Sequence, residues 1–355
     1  MTTPDSAWLL RERDRSWTCE GASGEVVAFH QSLDGYAHTP LVSLPSLPEQ
    51  LGVARVLMKD ESLRLGLPAF KALGASWAIH RALAERDADL GPALLVTATD
   101  GNHGRAVARF ARLLGHRAHI VIPVGVHPVA IAAIESEGAR VTMVEGSYDE
   151  AVAAAAEVAR VEGGILVQDT AWAGYETIPA WIVEGYATLF AEIDEQLATE
   201  PDLVIVPVGV GSLAQAAVTH YRRADCAGST SVVSVEPETA ACVLASLRAG
   251  EAVSIPTSYT VMAGLNCGTP SSLAWPLLHA GLDGAVSVTD SAAQTAVHDL
   301  AAQGLAAGPC GGAGVAAARL LLVGDGASAR RSTLGITSDS TVVLLVTEGT
   351  EANPA

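Results

Sequence analysis

Lys71 is the residue of this sequence best suited to amine chemistry. It lies among small and apolar residues in the stretch RLGLPAFKALGA, residues 64–75. The chain has 21 basic residues, of which only Lys59 and Lys71 are lysines. Because arginine serves elsewhere, a retained lysine indicates a need for an amine that can lose its proton, which guanidinium cannot do. Schiff-base formation and general-base catalysis both use such an amine. An ordinary lysine on a helix surface remains an open alternative.

A polar loop, TATDGNHG at residues 97–104, follows a predicted strand at 93–98 and precedes a predicted helix at 101–114. Open α/β sheets bind ligands at the carboxyl ends of their strands. Exposed amides at the start of a helix bind anions, so this loop is a candidate site for a carboxylate. Asp100 is also explained as a helix N-cap, whereas Asn102 and His103 are harder to explain as caps.

A second loop, PVGVGSL at residues 207–213, follows an apolar predicted strand and opens another helix. Its glycines allow backbone N–H groups to approach a phosphate, and the helix dipole favours the anion. It has neither the Gly-Lys-Ser/Thr of a Walker loop nor the third glycine of the dinucleotide fingerprint. A tight turn between strand and helix is an equally good explanation of this loop taken alone.

The lysine and the two loops together match the needs of one cofactor. Pyridoxal phosphate requires a lysine for its aldehyde and a glycine loop for its phosphate. The loop at 97–104 would then hold the carboxylate of an amino acid substrate. The sequence therefore predicts a pyridoxal phosphate enzyme.

The elements predicted around these residues form two α/β blocks. A helix at residues 70–85 places Lys71 at a helix N-terminus. Apolar strands alternate with helices from 93 to 167 and again from 203 to 346, which is typical of parallel sheets covered on both faces. One long helix is predicted at 179–196, and residues 1–50 are predicted to be a loosely structured lead-in. Two blocks imply two domains with a ligand site in the cleft between them.

Composition excludes several classes of function. The net charge of −18 argues against nucleic acid and against an anionic membrane surface. No apolar run is long enough to span a bilayer, and the charged residues 1–15 lack the apolar core of a signal peptide. We therefore expect a soluble cytoplasmic protein. The five cysteines have no CxxC spacing, and no metal-site pattern is present.

These motifs resemble those of the diaminopropionate ammonia-lyase family, within the tryptophan-synthase-β-like, fold-type II pyridoxal phosphate enzymes. FKALG at 70–74 resembles the cofactor-lysine motif, and TDGNHGR at 99–105 resembles the loop under the cofactor ring. The resemblance extends over about residues 36–350. Similar segments are QDTAW at 168–172, GY at 174–175, GYAT at 185–188, VEP at 235–237, MAGLNCG at 262–268 and TEG at 347–349.

The resemblance implies a two-domain α/β fold with parallel or mostly parallel sheets, an active site in the interdomain cleft, and a homodimer. Residues 1–75 and 186–355 would form the large cofactor-binding domain. Residues 76–185 would form a small domain that carries the loop from Asp100 to Gly104.

The resemblance also assigns roles to residues. Lys71 would bind the cofactor as an imine and move protons at the substrate α-carbon, Asn102 would contact the ring oxygen, and Thr347 would contact the pyridine nitrogen. The phosphate would be held by the amides of Gly209, Val210, Gly211 and Ser212. The substrate would be bound by Thr99, Asp100, Gly101, His103 and Asp169. Asp100 and Asp169 would also be catalytic, and such a pair suits a cationic β-ammonium group. Asp169 as a turn residue and His103 as a loop cap remain open alternatives.

The implied reaction is β-elimination from 2,3-diaminopropionate to pyruvate and ammonia through an aminoacrylate intermediate. The alternative is a pyridoxal phosphate dehydratase or β-replacement enzyme acting on serine, threonine or an activated serine in a specialised biosynthetic pathway. A non-catalytic protein that kept the fold is a third hypothesis, against which the presence of Lys71, Asp100 and Asp169 argues.

Two features depart from the family pattern. Leu65 replaces the usual phenylalanine before the lysine, and AAGPCGG at 306–312 stands where the family normally has Glu-Ser-Gly-Ala. The lost glutamate bears on the substrate more than on the cofactor, and Cys310 is either a packing residue or an active-site thiol. Cys242 and Cys267 match positions at which family members carry a cysteine pair, although a reducing cytoplasm disfavours a disulfide.

Overall fold

The computed structural model describes residues 7–99, 101–226 and 228–352, which form two β-sheets covered by helices. The strands are β1 (Trp8–Leu10), β2 (Leu41–Ser43), β3 (Arg55–Asp60), β4 (Leu94–Ala98), β5 (Arg117–Pro123), β6 (Arg140–Val144), β7 (Ile165–Leu166), β8 (Leu203–Pro207), β9 (Ser231–Pro237), β10 (Gly284–Val288) and β11 (Thr341–Val346). The helices are α1 (Glu25–Ser32), α2 (Leu47–Leu51), α3 (Lys71–Ala84), α4 (Asn102–Leu113), α5 (Pro128–Glu135), α6 (Tyr148–Glu162), α7 (Thr177–Gly185), α8 (Ala187–Leu197), α9 (Ser212–Tyr221), α10 (Cys242–Ala249), α11 (Ala274–Gly281), α12 (Asp290–Ala302), α13 (Pro309–Leu322) and α14 (Ala327–Leu334). Short 3-10 helices lie at Ala88–Leu90 and Ala263–Leu265.

The larger sheet has the strand order β1-β10-β9-β8-β11-β3-β2. Its two edge strands are antiparallel to their neighbours, and the strands between them are parallel. In β11, Val343 pairs with Leu57 of β3 on one side and with Val204 of β8 on the other. This strand is buried throughout. Alternate residues pack into cores on opposite faces of the sheet, with Val343 in one core and Val342 in the other.

The smaller sheet is entirely parallel and has the order β6-β5-β4-β7. The mostly parallel α/β fold predicted from the sequence is therefore confirmed, and the strand–helix alternation appears in both blocks. The predicted domain boundaries at 75/76 and 185/186 fall within α3 and at the end of α7. The division into domains remains a prediction.

Two sequence predictions of structure were wrong. The lead-in over residues 1 to about 50 contains, within its described part, β1, α1 and most of α2, and Trp8 pairs with the distant Val286. The predicted single helix at 179–196 is two helices, α7 and α8, that meet at Tyr186. Gly185, directly before this point, packs against α3, because a Cβ there would lie 2.6 Å from the Leu73 carbonyl oxygen.

Within the described residues, no helix is both long and apolar enough to cross a bilayer.

Candidate active site

Lys71 is the first residue of α3, as the sequence predicted. The preceding loop is held against the end of β11, because the Phe70 amide donates to the Thr347 carbonyl at 3.2 Å. The lysine side chain extends into a cavity and is 25% exposed. Its Nζ lies 5.4 Å from the centre of the Phe70 ring and 5.9 Å from that of Tyr186. Burial raises the pKa of Tyr186 to about 12, so its hydroxyl stays protonated beside the lysine.

Asp169 forms an ion pair with Lys71. The Lys71 Nζ donates to Oδ2 of Asp169 at 2.6 Å. Burial by itself lowers the pKa of Lys71, but the carboxylate outweighs it and the net pKa is raised. Burial likewise raises the pKa of Asp169, but the lysine charge holds it well below its usual range. Both groups are therefore charged at neutral pH. Because the Asp169 side chain pairs with Lys71, the interpretation of Asp169 as only a turn residue does not explain its contact.

Gln168 and Tyr148 hold the Asp169 segment in place. The Gln168 side-chain oxygen accepts from the Ala98 amide at 2.9 Å, which ties the segment to the end of β4. Its nitrogen donates to the Tyr148 hydroxyl at 2.8 Å, and that hydroxyl lies 3.5 Å from Oδ1 of Asp169. Tyr148 was missed by the sequence analysis. It is the first residue after β6 to enter a helix, so it lies at the same carboxyl edge of the sheet.

The loop after β4 is ordered by Thr99 and shaped by glycine. The Thr99 hydroxyl accepts from the amides of Gly101 at 3.0 Å and Gly104 at 3.1 Å. A Cβ at Gly104 would lie 2.3 Å from Cγ2 of Thr99. The His103 ring does not cap the loop, because its Nε2 bonds to the Val167 carbonyl at 2.7 Å. Asp100 lies outside the described residues, so its role remains a prediction.

Asn102 contacts a carboxylate that the sequence analysis did not assign. Its side-chain nitrogen donates to Oε2 of Glu348 at 2.7 Å. Glu348 is buried and directly follows Thr347, a sequence signal that could have identified it. A Cβ at Gly308 would lie 3.2 Å from Cγ of Glu348. The segment that lacks the family glutamate thus still lies against a carboxylate, which the loop after β11 supplies.

Cys310 lies in the same segment and is almost fully buried. Burial and the neighbouring Glu348 carboxylate both raise the pKa of its thiol. A thiol in this state is a poor nucleophile at neutral pH, which favours the packing interpretation of Cys310. Cys242 and Cys267 are both free thiols in this structure.

The glycine loop between β8 and α9 fits a phosphate. A Cβ at Gly209 would lie 3.0 Å from Sγ of Cys267 and 3.1 Å from the Gly264 carbonyl oxygen. Gly211 has φ of +103°, and a Cβ there would lie 2.7 Å from Leu278. The position of Gly211 therefore requires glycine, and a Cβ at Gly209 would have to displace its neighbours by a few tenths of an ångström. The loop amides precede the N-terminus of α9, where an anion is favoured.

One cavity of about 120 Å³ brings these groups together. It includes every predicted site residue that the structure describes. Its lining is Phe70, Lys71, Thr99, Gly101, Asn102, His103, Tyr148, Asp169, Thr170, Pro207, Val208, Gly209, Val210, Gly211, Ser212, Leu213, Ala263, Gly264, Leu265, Cys267, Cys310, Thr347 and Glu348. A larger cavity of about 1200 Å³ lies between α10, α12 and α13 and contains none of the predicted residues. No group of side chains suited to holding a metal ion occurs among the described residues.

The cavity has the parts that pyridoxal phosphate requires: an amine, a phosphate loop and polar groups for the ring. The chain matches the family described as pyridoxal-phosphate dependent enzyme over residues 33–348. The fold, the site and this match together define a pyridoxal-phosphate-dependent enzyme of fold type II.

Individual relatives define the family more closely. Diaminopropionate ammonia-lyase of Salmonella typhimurium is 38% identical over 291 residues, which cover 75% of this chain and 72% of that protein. The crystal structure of the Escherichia coli diaminopropionate ammonia-lyase in complex with an aminoacrylate-PLP azomethine reaction intermediate superimposes with a TM-score of 0.85. That match has 32% identity and covers 97% of this chain and 95% of the other.

A relative with another activity is less similar. The biosynthetic L-threonine dehydratase of Mycobacterium leprae is 32% identical over 285 residues, covering 78% of this chain and 63% of that protein. The chain belongs to the diaminopropionate ammonia-lyase family, as its motifs indicated.

Proposed function

We propose that this enzyme catalyses β-elimination from 2,3-diaminopropionate, yielding pyruvate and two molecules of ammonia with the uptake of one water. The observation that carries the proposal is the ion pair of Lys71 with Asp169 inside the cavity. An ionised carboxylate beside the reactive amine suits a substrate that carries a cationic amine at its β-carbon. A β-hydroxyl substrate has no charge to match it.

Pyridoxal phosphate, when bound, supplies an aldehyde for amines and a ring that spreads the negative charge left on the substrate α-carbon. Lys71 would hold the cofactor through its amine, and the amides of Gly209, Val210, Gly211 and Ser212 would hold its phosphate. Asn102 would donate to the ring oxygen, with Glu348 fixing the orientation of its amide. Thr347 would place a neutral hydroxyl at the ring nitrogen.

On the substrate side, Lys71 would take the α-proton on Nζ when it is not attached to the cofactor. Asp169 would receive the β-ammonium group and orient it for departure as ammonia. The hydroxyl of Thr99 and the backbone amide of His103, with Gly101 between them, would bind the carboxylate at the start of α4. Asp100 is proposed as a second group for proton transfer and amine recognition. A homodimer is proposed from the family resemblance, and a cytoplasmic location is proposed from the charge and composition of the sequence.

The test is release of pyruvate from a panel of amino acids by the purified protein loaded with pyridoxal phosphate. We expect release from 2,3-diaminopropionate at a kcat/KM well above that for serine or threonine. Lys71→Ala should abolish it and remove the visible absorbance of the bound cofactor. Arg81→Ala, which removes a half-buried cation near the far end of the same helix, is the matched control and should retain both.

The same panel decides against the alternative of a dehydratase or β-replacement enzyme. Pyruvate from serine or an activated serine, with none from 2,3-diaminopropionate, would establish that alternative. The absence of a glutamate between Gly308 and Gly312 is the feature that makes this comparison necessary.

A further inference from the structure

His103 has one ring nitrogen whose role the fold explains and one whose role it does not. The ring is 3% exposed, and Nε2 lies 2.7 Å from the Val167 carbonyl oxygen. Because a carbonyl only accepts hydrogen bonds, Nε2 must carry the proton. The Nδ1 atom of the neutral ring is then a lone-pair acceptor.

No residue in the ranges 7–99, 101–226 and 228–352 hydrogen-bonds to Nδ1 of His103, although the atom is buried. A buried acceptor without a donor costs free energy, so such atoms are rare in native structures and often have a functional role. His103 lines the cavity that holds Lys71 and Asp169, and both of these charges act on its ring. A ligand in the cavity is therefore the natural source of the missing donor.

We infer that Nδ1 of His103 and the carboxylate of Asp169 together receive the β-ammonium group of the substrate, so that His103 selects an ammonium over a hydroxyl. This inference rests on the proposed function. An ammonium group has three N–H donors and can satisfy both acceptors at once. A β-hydroxyl has one proton and, when it bonds to Asp169, leaves Nδ1 without a donor. His103 is thus a specificity-determining residue for the elimination.

Two substitutions separate the nitrogens of the ring. His103→Gln places an amide N–H near the position of Nε2, which keeps the bond to Val167 and removes the acceptor at Nδ1. His103→Asn can place an amide oxygen near the position of Nδ1 while losing the bond to Val167. If His103 only supported the loop, the enzyme would tolerate His103→Gln better than His103→Asn.

The experiment measures kcat/KM for 2,3-diaminopropionate and for serine with the cofactor-loaded wild type and both variants. For His103→Gln we expect a fall of about tenfold to a hundredfold with diaminopropionate and little change with serine, because only the ammonium loses an acceptor. His103→Asn should keep the preference for diaminopropionate even if both rates fall. If His103→Gln leaves the ratio of kcat/KM for diaminopropionate to that for serine unchanged, the inference is overturned.

A second readout does not depend on turnover. In the Lys71→Ala background, calorimetry should show that adding His103→Gln weakens binding of diaminopropionate by about tenfold and leaves serine binding unchanged. Equal weakening for both ligands contradicts the inference. If the wild type releases no pyruvate from diaminopropionate, the proposed function itself fails. If the wild type does release pyruvate from diaminopropionate but the preference over serine does not depend on His103, only the inference about His103 fails.

Discussion

Lys71 and Asp169 keep each other charged inside the cavity. The two atoms of the pair lie 2.6 Å apart, and each charge offsets the cost of burying the other. The pKa of the amine is raised and that of the carboxyl is lowered, so a free Lys71 remains an ammonium throughout the neutral range. It can act as a base only after its pairing with Asp169 is broken. Replacement of either residue therefore changes the proton affinity of the other.

Replacement of Asp169 by asparagine tests this dependence. We expect Asp169→Asn to lower kcat/KM for diaminopropionate by roughly 10²–10⁴-fold, the usual range for loss of a proton-transfer group. The neutral amide does not attract the β-ammonium and cannot take part in proton transfer that keeps the departing amine protonated. Initial rates of pyruvate release with excess cofactor measure the effect.

The matched control for Asp169→Asn is Tyr148→Phe, which removes the hydroxyl 3.5 Å from the same carboxylate and 2.8 Å from the Gln168 side-chain nitrogen. The contact with Asp169 is long and the carboxylate itself remains, so the control should lose less than about tenfold. An Asp169→Asn variant as active as the control would show that the carboxylate has no part in proton transfer.

Cys310 is expected to be dispensable for chemistry. Its thiol is buried beside Glu348, and both influences raise its pKa and keep it protonated. Cys310→Ala should therefore retain near-wild-type turnover and lose about 1 kcal/mol of unfolding free energy through the small cavity created. Pyruvate release and urea denaturation measure the two effects. Loss of turnover with unchanged cofactor absorbance would instead make Cys310 an active-site thiol.

At the scale of elements, local patterns predicted the site better than the edges of the fold. Lys71 was placed at a helix start, and the loops at 97–104 and 207–213 were placed at strand ends, because apolar strands and glycine turns are local signals. Lys71 and the loop at 207–213 follow β3 and β8 of the larger sheet, whose parallel strands share a carboxyl edge. The loop at 97–104 follows β4 of the smaller sheet, so its place in the same cavity depends on how the two sheets pack together. The predicted chemical roles of these residues remain to be tested by experiment.

What the sequence did not reveal depends on distant contacts. β1 is three residues long and pairs with β10, so no local pattern identifies it. The close packing of α7 on α3 at Gly185 joins segments about a hundred residues apart. The bond from Asn102 to Glu348 likewise joins positions 246 residues apart.

The contact of α3 with α7 offers a test at the scale of elements. A Cβ at Gly74 would lie 2.5 Å from Cε1 of Tyr186 and 2.8 Å from the Ile182 carbonyl oxygen. Gly74→Ala should therefore separate the helices and destabilise the protein by about 1–3 kcal/mol, the usual cost of overpacking. It should also weaken cofactor binding, because Lys71 lies in the same turn of α3. Urea denaturation and cofactor titration measure the two effects.

Gly24→Ala is the control for this substitution. Nothing lies within 4 Å of a Cβ at Gly24, and its φ of −60° suits alanine. The control should stay within about 0.5 kcal/mol of the wild type. Equal stability of the Gly74→Ala and Gly24→Ala variants would show that α7 moves freely relative to α3.

At the scale of the whole molecule, the second lysine is structural. Lys59 is fully buried in β3, and its Nζ donates to Glu192 of α8 at 2.6 Å. Arg64 bonds to the same glutamate at 2.6 Å and to Glu61 at 2.6 Å. This buried network joins the larger sheet to α8. Of the two lysines, Lys59 therefore has a structural role in this network, and Lys71 lines the cavity.

Glu192→Gln would leave Lys59 and Arg64 buried with one negative charge fewer. Breaking a buried ion pair in this way costs about 3–5 kcal/mol, because the remaining charges lose compensation without regaining water. Urea denaturation at neutral pH should show this loss. Glu195→Gln, on the exposed side of the same helix, should change stability by less than about 0.5 kcal/mol. Similar values for the two variants would mean that water reaches the network.

Acid sensitivity of the fold should arise in part from His30. Its ring is buried between α3 and α8, with Nδ1 2.7 Å from the Thr188 hydroxyl and Nε2 3.0 Å from the Leu73 carbonyl. Burial lowers its pKa from 6.5 to about 4. The unfolded chain therefore binds a proton at this residue before the folded chain does. The contribution of His30 is present above pH 6.5 and is lost as the pH falls towards 4.

This shift predicts a loss of about 2 kcal/mol of unfolding free energy at His30 between pH 7 and pH 5. His103 and His119, whose pKa values are also lowered by burial, contribute in the same direction. The comparison must therefore be between the wild type and His30→Gln, which keeps an amide donor for the Leu73 carbonyl and cannot titrate. Urea denaturation at the two pH values should show a loss smaller by about 2 kcal/mol in His30→Gln. Parallel losses in the two proteins would mean that the pocket around His30 admits the protonated ring, and that α1, α3 and α8 separate more readily than the buried contacts indicate.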